Sequence, residues 1–301
     1  MVNATVGDRL PGASGSPGAE ARPTSLADWI TSGGWLTPGL RGLPLAPGPL
    51  GEALSLVRDP DVDGRRLTRL VACDQVLTAR VLRLANVAAS APMSDVTSIE
   101  QAVIRLGTGA VRRAVLAACF ASWVQPSGRS AAESRASIDH ALGAAALCRQ
   151  VALRTQGDPD EAYVHGLLHD IGKLFLAKLR DEWVRLGGVA PTAGEEADLV
   201  VAHHAEVGGI ALQYWGLPAS VREPVRWHHE PASAPQHARA AGVTYLANRL
   251  AHRYGFGCQP EADDALLSDP VFASFDAGPS WLAEMDRHAV AIADEMPQLL
   301  P

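Results

Sequence analysis

An all-α fold is predicted by three observations. Apolar residues recur at three- and four-residue spacing in segment after segment, several of those segments open on strong helix-start signals, and no stretch alternates apolar with polar residues as a half-buried strand would. The many short helices are expected to pack in layers rather than as one long-helix bundle. No internal repeat and no Gly-rich phosphate loop is present.

The elements follow in order. Residues 1–24, rich in Gly, Ala, Pro and Ser, lack apolar periodicity and are expected to be disordered. A short apolar piece from Trp29 to Leu36 is placed to dock on the body, and Pro38, Pro44, Pro47 and Pro49 mark an irregular lead-in. Leu50, Ala53, Leu54 and Val57 form a first stripe, stopped by Asp59-Pro60. Leu67, Leu70 and Val71 form a second, and Val76, Leu77, Val81, Leu82 and Ala85 a third, with Asp74 as its expected cap. Ser98 followed by Gln101 is a capping-box arrangement, because each side chain can satisfy a backbone amide that the first turn leaves unpaired. Gly107 is placed to end that helix in a left-handed conformation, and Thr108 to cap the next, through Val111, Val115, Leu116 and Phe120.

Residues 125–135 read as a polar break and the boundary between two subdomains. An Ala- and Leu-rich helix follows from about Ser137 to Arg154. Asp158-Pro159 then opens a helix through Tyr163, Leu167 and Leu168, since Pro at the first helical position sacrifices no hydrogen bond. Gly187, Gly188, Pro191 and Gly194 predict a loop. Separate helices are expected over Glu195–Ala202 and Val207–Trp215, then one from Pro218 to the His228-His229 pair, and another over Ala240–Tyr254. Gly255, Gly257 and Pro260 end the last of these, and residues 261–298 read as two short helices.

Bulk composition narrows the function. A formal net charge of -7 with 20% charged residues gives no global reason to expect a nucleic-acid binder; the small cluster Arg105, Arg112 and Arg113 reads as a solvated helix face. Cys73, Cys119, Cys148 and Cys258 have no paired spacing and fit buried thiols in a reducing compartment. No secretory leader opens the chain, and charges interrupt every apolar run before membrane-spanning length, so a cytoplasmic protein with no membrane partner is expected.

The chemistry-bearing residues are histidines, most of them in the second half: His140, His169, His204, His228 and His229, with Asp170 beside His169. Neutral imidazole and ionised carboxylate are ligands for Zn, Fe, Mn or Ni, and a carboxylate can bridge two ions. Two such ions would acidify a bound water and hold phosphate oxygens, a route to phosphate-ester hydrolysis. Spacing alone leaves structural or surface histidines as the alternative. His165 shares a helix face with His169, and His203 adjoins His204, but both are weaker candidates; His237, His252 and His288 have no supporting context.

Several ordered motifs resemble one family. Residues 164–174, Val-His-Gly-Leu-Leu-His-Asp-Ile-Gly-Lys-Leu, resemble the central motif of the HD superfamily of metal-dependent phosphohydrolases. LTARVLRLANVA (Leu77–Ala88), TSIEQAVIRLG (Thr97–Gly107), HAEVG (His204–Gly208) and WGLP (Trp215–Pro218), followed by His228-His229, resemble its HDOD branch over residues 42–256. The resemblance implies two packed helical lobes. Residues 25–130 would form the N-terminal lobe, 131–258 the HD-like lobe and 259–301 a C-terminal extension. It also assigns the metal positions of catalytic relatives to His140, His169, Asp170, His204, His228 and His229. The superfamily's last aspartate falls on Asn248, which keeps a weak neutral oxygen donor and loses the charge. Asn86 is read as a packing residue.

The expected function is a bacterial signalling or regulatory module without catalysis that binds a protein or nucleotide ligand. Its metal site would be retained or vestigial, with one or two divalent ions (Fe, Mn, Zn or Ni) or none. The alternative is a phosphohydrolase acting on a nucleotide or cyclic dinucleotide, with His169, Asp170 and Lys173 as catalytic groups and Arg226 or Lys173 steadying phosphate.

Overall fold

Helices begin and end largely where capping chemistry allows. In the computed structural model, residues 23–33, 67–68, 71, 75–87, 96–124, 131–257 and 266–299 are described. They form α1 (Leu26–Thr31), α2 (Gln75–Val87), α3 (Ile99–Leu106), α4 (Thr108–Val124), α5 (Ala131–Arg154), α6 (Pro159–Leu168), α7 (Ile171–Arg185), α8 (Ala193–Tyr214), α9 (Ala219–Arg226), α10 (Ala238–Arg253), α11 (Pro270–Ser274) and α12 (Pro279–Leu299). The fold is all-α, with no strand among the described residues. The stripe from Leu50, the caps at Asp59-Pro60 and Asp74, the prolines at 38–49, Cys73 and Cys258 lie outside the described residues, as does the segment 1–22.

The Ser98 cap forms, but the reciprocal half of the capping box falls one residue early, on Thr97, and Thr108 is the first residue of its helix rather than its cap. The Ser98 hydroxyl accepts from the Gln101 amide at 3.2 Å, and the Gln101 side chain accepts from Thr97 N at 3.0 Å. Gly107 does close α3 with a positive φ of 80°, but its ψ of 157° lies outside the left-handed helical region, and α4 starts at once at Thr108. Asn86 packs as expected: its amide donates to Val96 O at 3.0 Å and accepts from Val96 N at 2.7 Å, tying α2 to the strap before α3. Trp29 of α1, 5% exposed, stacks on Trp183 of α7 with ring centroids 5.7 Å apart.

Four expectations are corrected. The polar break ends earlier than read, because Ala131, Ala132 and Glu133 favour helix and α5 begins there. The helices expected over Glu195–Ala202 and Val207–Trp215 are one, α8; nothing between them breaks a helix, and Thr192 with Glu195 forms a full capping box at its start. Arg112 and Arg113 are not a solvated face. Both grip Asp160 at the start of α6, Arg113 at 2.8 Å, with side chains only 17% and 23% exposed. That pair of ion contacts staples α4 to α6. The final tail also differs, since its second helix, α12, runs for 21 residues.

Packing converges on α5, whose Ala-rich faces lie against α6, α10, α12 and α4, while α8 lies against α7 and α9. Small residues permit close approach: a Cβ on Gly166 would lie 2.6 Å from the Ala144 carbonyl oxygen. Leu142, Leu147, Leu167, Leu168, Ile171 and Phe175 are the large, fully buried side chains of this region. Cys119 and Cys148 are buried free thiols. Among the described residues no helix is long and apolar enough to cross a membrane.

Candidate metal centre

The site is assembled from five places in the fold. His140 projects from the middle of α5, His204 from the middle of α8 and Asn248 from α10. His169-Asp170 is the elbow between α6 and α7, and His228-His229 occupies the turn after α9, which stops at Arg226 rather than including the pair. Asp170 stands at the N-cap position of α7 yet makes no capping hydrogen bond. Its carboxylate turns toward the histidines instead, forgoing a contact that usually stabilises a helix start.

The ligand-type atoms fall into two groups, His140, His169 and Asp170 in one and His204, His228 and His229 in the other, with each group's ligand atoms within 4.8 Å of one another. Asp170 links the groups. Its Oδ2 lies 3.5 Å from His140 Nε2 and 3.4 Å from His169 Nε2, while Oδ1 lies 3.3 Å from His204 Nε2. Asn248 faces inward, with Oδ1 3.1 Å from His140 Nε2.

Backbone carbonyls orient four of the rings. The Nδ1–H of His140 donates to Phe256 O at 3.0 Å, His169 to Gly166 O at 2.7 Å, His204 to Val200 O at 2.6 Å and His228 to Val225 O at 2.7 Å. A carbonyl can only accept, so each Nδ1 carries hydrogen, and in a neutral ring Nε2 is then a bare lone pair. Those lone pairs are brought face to face: His140 and His169 Nε2 are 3.2 Å apart and His204 and His228 Nε2 3.3 Å, while His229, whose Nδ1 is held by no carbonyl among the described residues, sets its Nε2 3.0 Å from that of His204. Bare lone pairs at that range repel unless a positive charge lies among them. This donor set fits a divalent transition metal.

The electrostatics agree. Burial pushes the His140 and His229 imidazoles down to about 4. Burial also lowers His204, and with its histidine neighbours holds His228 well below the ordinary range. Burial opposes ionisation of Asp170, but His169 and the Lys173 ammonium, 2.6 Å away, outweigh it and keep the carboxyl well below its usual range. Neutral imidazole and ionised carboxylate are the protonation states a metal requires.

The remaining candidates separate clearly. His165 is 2% exposed but belongs to neither ligand group. Neither of its ring nitrogens reaches hydrogen-bond geometry with a described neighbour. Burial lowers it to about 4, although the Ser220 backbone slightly favours the charged form. Its folded value lies below the unfolded value of 6.5, so the unfolded chain takes up a proton first. Stability from this group is full above about pH 6.5 and falls as pH drops toward 4. His165→Leu is expected to flatten that dependence by up to ~3 kcal/mol, read as urea midpoints of metal-free protein between pH 7 and 4. Identical pH slopes for both proteins would exclude this role. His203 and His237 are in neither group. Arg226 is engaged elsewhere, donating to Glu206 at 2.9 Å and lying over Trp227. His252, which has no supporting context in the sequence, lies beside the candidate site, its ring centroid 4.9 Å from that of His140. The available signal was its position one helical turn after Asn248.

An all-α chain that gathers a His-Asp elbow with one histidine from each of two further helices and a His-His pair from a turn has the architecture of an HD-type domain. Residues 43–231 match the HDOD domain family, and the chain belongs to it. That match contains every histidine of the two groups but ends before Asn248, so it is shorter than the resemblance read over residues 42–256. Among solved structures, an HDOD domain protein from Geobacter sulfurreducens is similar, with 27% identity, 86% of this chain and 93% of that one covered and a TM-score of 0.67. A Shewanella amazonensis protein named as a candidate phosphohydrolase is 26% identical, with 88% and 95% covered and a TM-score of 0.59. An uncharacterized protein of Treponema pallidum is 26% identical over 200 residues, 64% of this chain; that match spans 39% of the relative's length.

Proposed function

We propose that this protein is a metal-binding regulatory HDOD module that acts by holding a ligand or protein partner rather than by rapid turnover. The observation that carries the metal is the set of four imidazoles locked by backbone carbonyls, three of them with Nε2 against Asp170 and the fourth, His228, with Nε2 against that of His204. His140, His169, Asp170 and Asn248 would hold one ion, and His204, His228 and His229 a second or the opposite side of the first. The division into lobes at residues 130 and 131 belongs to the same reading, with α12 lying against helices on both sides of it.

The regulatory half rests on charge. Asp170 is the one carboxylate in the two ligand groups found among the described residues, and Asn248 is neutral. Two dications against one anion leave the centre strongly positive, which weakens occupancy by a second ion. When bound, such an ion acidifies water and polarises phosphoryl oxygens. Hydrolysis of a phosphate ester is therefore the second reading. It is favoured by Lys173, 35% exposed beside Asp170 and at the edge of a cleft, and by the name of the Shewanella relative.

The test combines elemental analysis of protein purified without added metal with a phosphoesterase screen over mono-, di- and cyclic dinucleotides in Mn and Fe. About one ion per chain with no turnover above the metal-only blank is expected. Turnover that vanishes in Asp170→Ala would replace the regulatory reading with the hydrolase, and protein that takes up no metal under loading would end both.

A further inference from the structure

One stripe of α5 carries Ala136, His140 and Gly143, spaced by four and three residues and so stacked on a single face. The turn that ends α10, residues 254–257, lies along that stripe and straddles His140. Its conformation is fixed by its own hydrogen bonds. Gly255 takes a positive φ of 71°. Its N–H donates to His252 O at 3.1 Å and the Phe256 N–H to Ala251 O at 3.0 Å, the pairing of a Schellman cap. The cap turns the Phe256 carbonyl back toward α5, where it accepts the Nδ1–H of His140 at 3.0 Å.

This contact differs in kind from the other three that orient a ring. His169, His204 and His228 each donate to a carbonyl three or four residues earlier, so their own helix or turn holds them. Of the four, His140 alone depends on a residue 116 positions away, and that residue lies beyond 43–231, the part that matches the family. Two glycines set how closely the turn seats. A Cβ at Gly143 would lie 2.5 Å from the Phe256 ring and 2.8 Å from Phe256 Cβ, so the ring fills a notch that only glycine leaves in α5. Gly257 presses on the other side of His140: a Cβ there would lie 2.0 Å from the Ala136 carbonyl oxygen and 3.0 Å from His140 Cβ. The turn is also tied to α12. Arg253, just before it, donates to Asp286 at 3.2 Å and lies over the Tyr254 ring, whose centroid is 6.3 Å from that of Phe256.

We propose that residues 254–257 are the positioning element of the metal centre, holding His140 in the tautomer that offers Nε2, and that α12 sets how firmly this lock is held. Without the Phe256 carbonyl, the His140 ring is free to carry its hydrogen on Nε2, toward Asn248 Oδ1, where it would exclude an ion. His169, His204 and His228 keep their local acceptors in that event, so the loss falls on the group made by His140, His169 and Asp170. Occupancy of the centre thereby depends on how α10 and α12 pack, which couples the site to a part of the chain that touches no ion. The inference rests on the metal-bound reading above and adds its control.

Two measurements on the full chain follow the metal and the lock separately. Chelator competition gives Mn affinity. Nitrogen NMR of isotope-labelled, metal-free protein at neutral pH, assigned by the signals lost in His140→Gln, reports which ring nitrogen carries hydrogen. Wild-type His140 is expected to show a protonated Nδ1 and a bare Nε2. Gly257→Ala, driven off the Ala136 carbonyl, should weaken Mn binding roughly 10–100-fold, the range for residues that orient a ligand, and move the hydrogen toward Nε2. Gly143→Ala pushes on Phe256 from the other side and should do the same. Alanine favours helix within α5, so this variant serves where Gly257→Ala fails to fold. Gly187→Ala is the control: its φ is 89°, nothing lies within 4 Å of its Cβ, and it should keep both readouts. Asp286→Ala should weaken Mn binding several-fold with the same change at His140. Weakened binding with Nδ1 still protonated, or wild-type affinity in both Gly257→Ala and Gly143→Ala, would overturn the lock. Wild-type behaviour of Asp286→Ala would overturn the role of α12. Wild-type protein that takes up no Mn would instead overturn the metal reading, and the Nδ1 signal of the metal-free chain would still decide the lock.

Discussion

Gly172→Ala is expected to lose on the order of 3–5 kcal/mol of stability, a large share of what a typical domain has. A Cβ at Gly172 would lie 1.8 Å from the His204 carbonyl oxygen and 2.8 Å from Gly208 N, both backbone atoms of α8. No rotamer change relieves a clash with backbone, so α7 and α8 must separate. Separation also moves His204, on α8, away from Asp170 at the start of α7, and the two ligand groups lose their 3.3 Å link. Metal capacity is therefore expected to fall together with stability. Gly194→Ala is the matched control, because nothing lies within 4 Å of a Cβ there. It should unfold within about 1 kcal/mol of the wild type or slightly above it. Urea midpoints and metal content of the three proteins decide the matter; a Gly172→Ala protein as stable as Gly194→Ala would mean that α7 and α8 do not approach this closely.

The same residues show what the sequence could and could not reveal. Helix starts depend on local chemistry, so Ser98 with Gln101 and Asp158 with Pro159 were legible, and the structure realises both caps. The continuity of α8 was obscured between Ala202 and Val207, where His203, His204 and Glu206 interrupt the apolar stripe without breaking the helix, and two glycines follow at once. In the fold they are accommodated where α8 meets α7 and α9: a Cβ on Gly208 would lie 3.3 Å from Gly172 N, and one on Gly209 2.6 Å from the Arg226 Cβ. Arg112 and Arg113 were misread for a related reason. Their partner, Asp160, is 47 and 48 residues away, a separation no periodicity reports.

For the candidate metal centre, residue types and order identified His140, His169, Asp170, His204, His228 and His229 as candidates, and the structure brings them together as two groups of three linked by Asp170. The four carbonyls that orient the rings were invisible, since backbone atoms carry no sequence signature. The approach of His252 to His140 was invisible because it arises only when α10 lies beside α5. Asp170 shows the opposite case: the local rule favours it as a helix cap, and the centre claims it instead.

Asp170→Asn and Asn248→Asp are expected to move metal affinity in opposite directions. Asp170 is in contact with His140, His169, His204 and Lys173, and its replacement by the isosteric amide removes the carboxylate shared by the two groups without opening a cavity. Affinity for Mn or Fe is expected to fall by at least ~100-fold, beyond the range for an outer residue that only orients a ligand. Asn248→Asp places a second charge where Oδ1 already lies 3.1 Å from His140 Nε2, and a rise of roughly tenfold or more is expected. The cost appears in the metal-free protein. A second carboxylate buried beside Asp170 repels it, so apo Asn248→Asp should melt below apo wild type while its loaded form melts above loaded wild type. That crossing separates a metal-site effect from simple stabilisation, which would shift both forms alike. Chelator competition gives the affinities and thermal unfolding with and without Mn gives the crossing. If Asn248→Asp left both affinity and the apo-to-loaded interval unchanged, Asn248 would be a packing residue outside the shell.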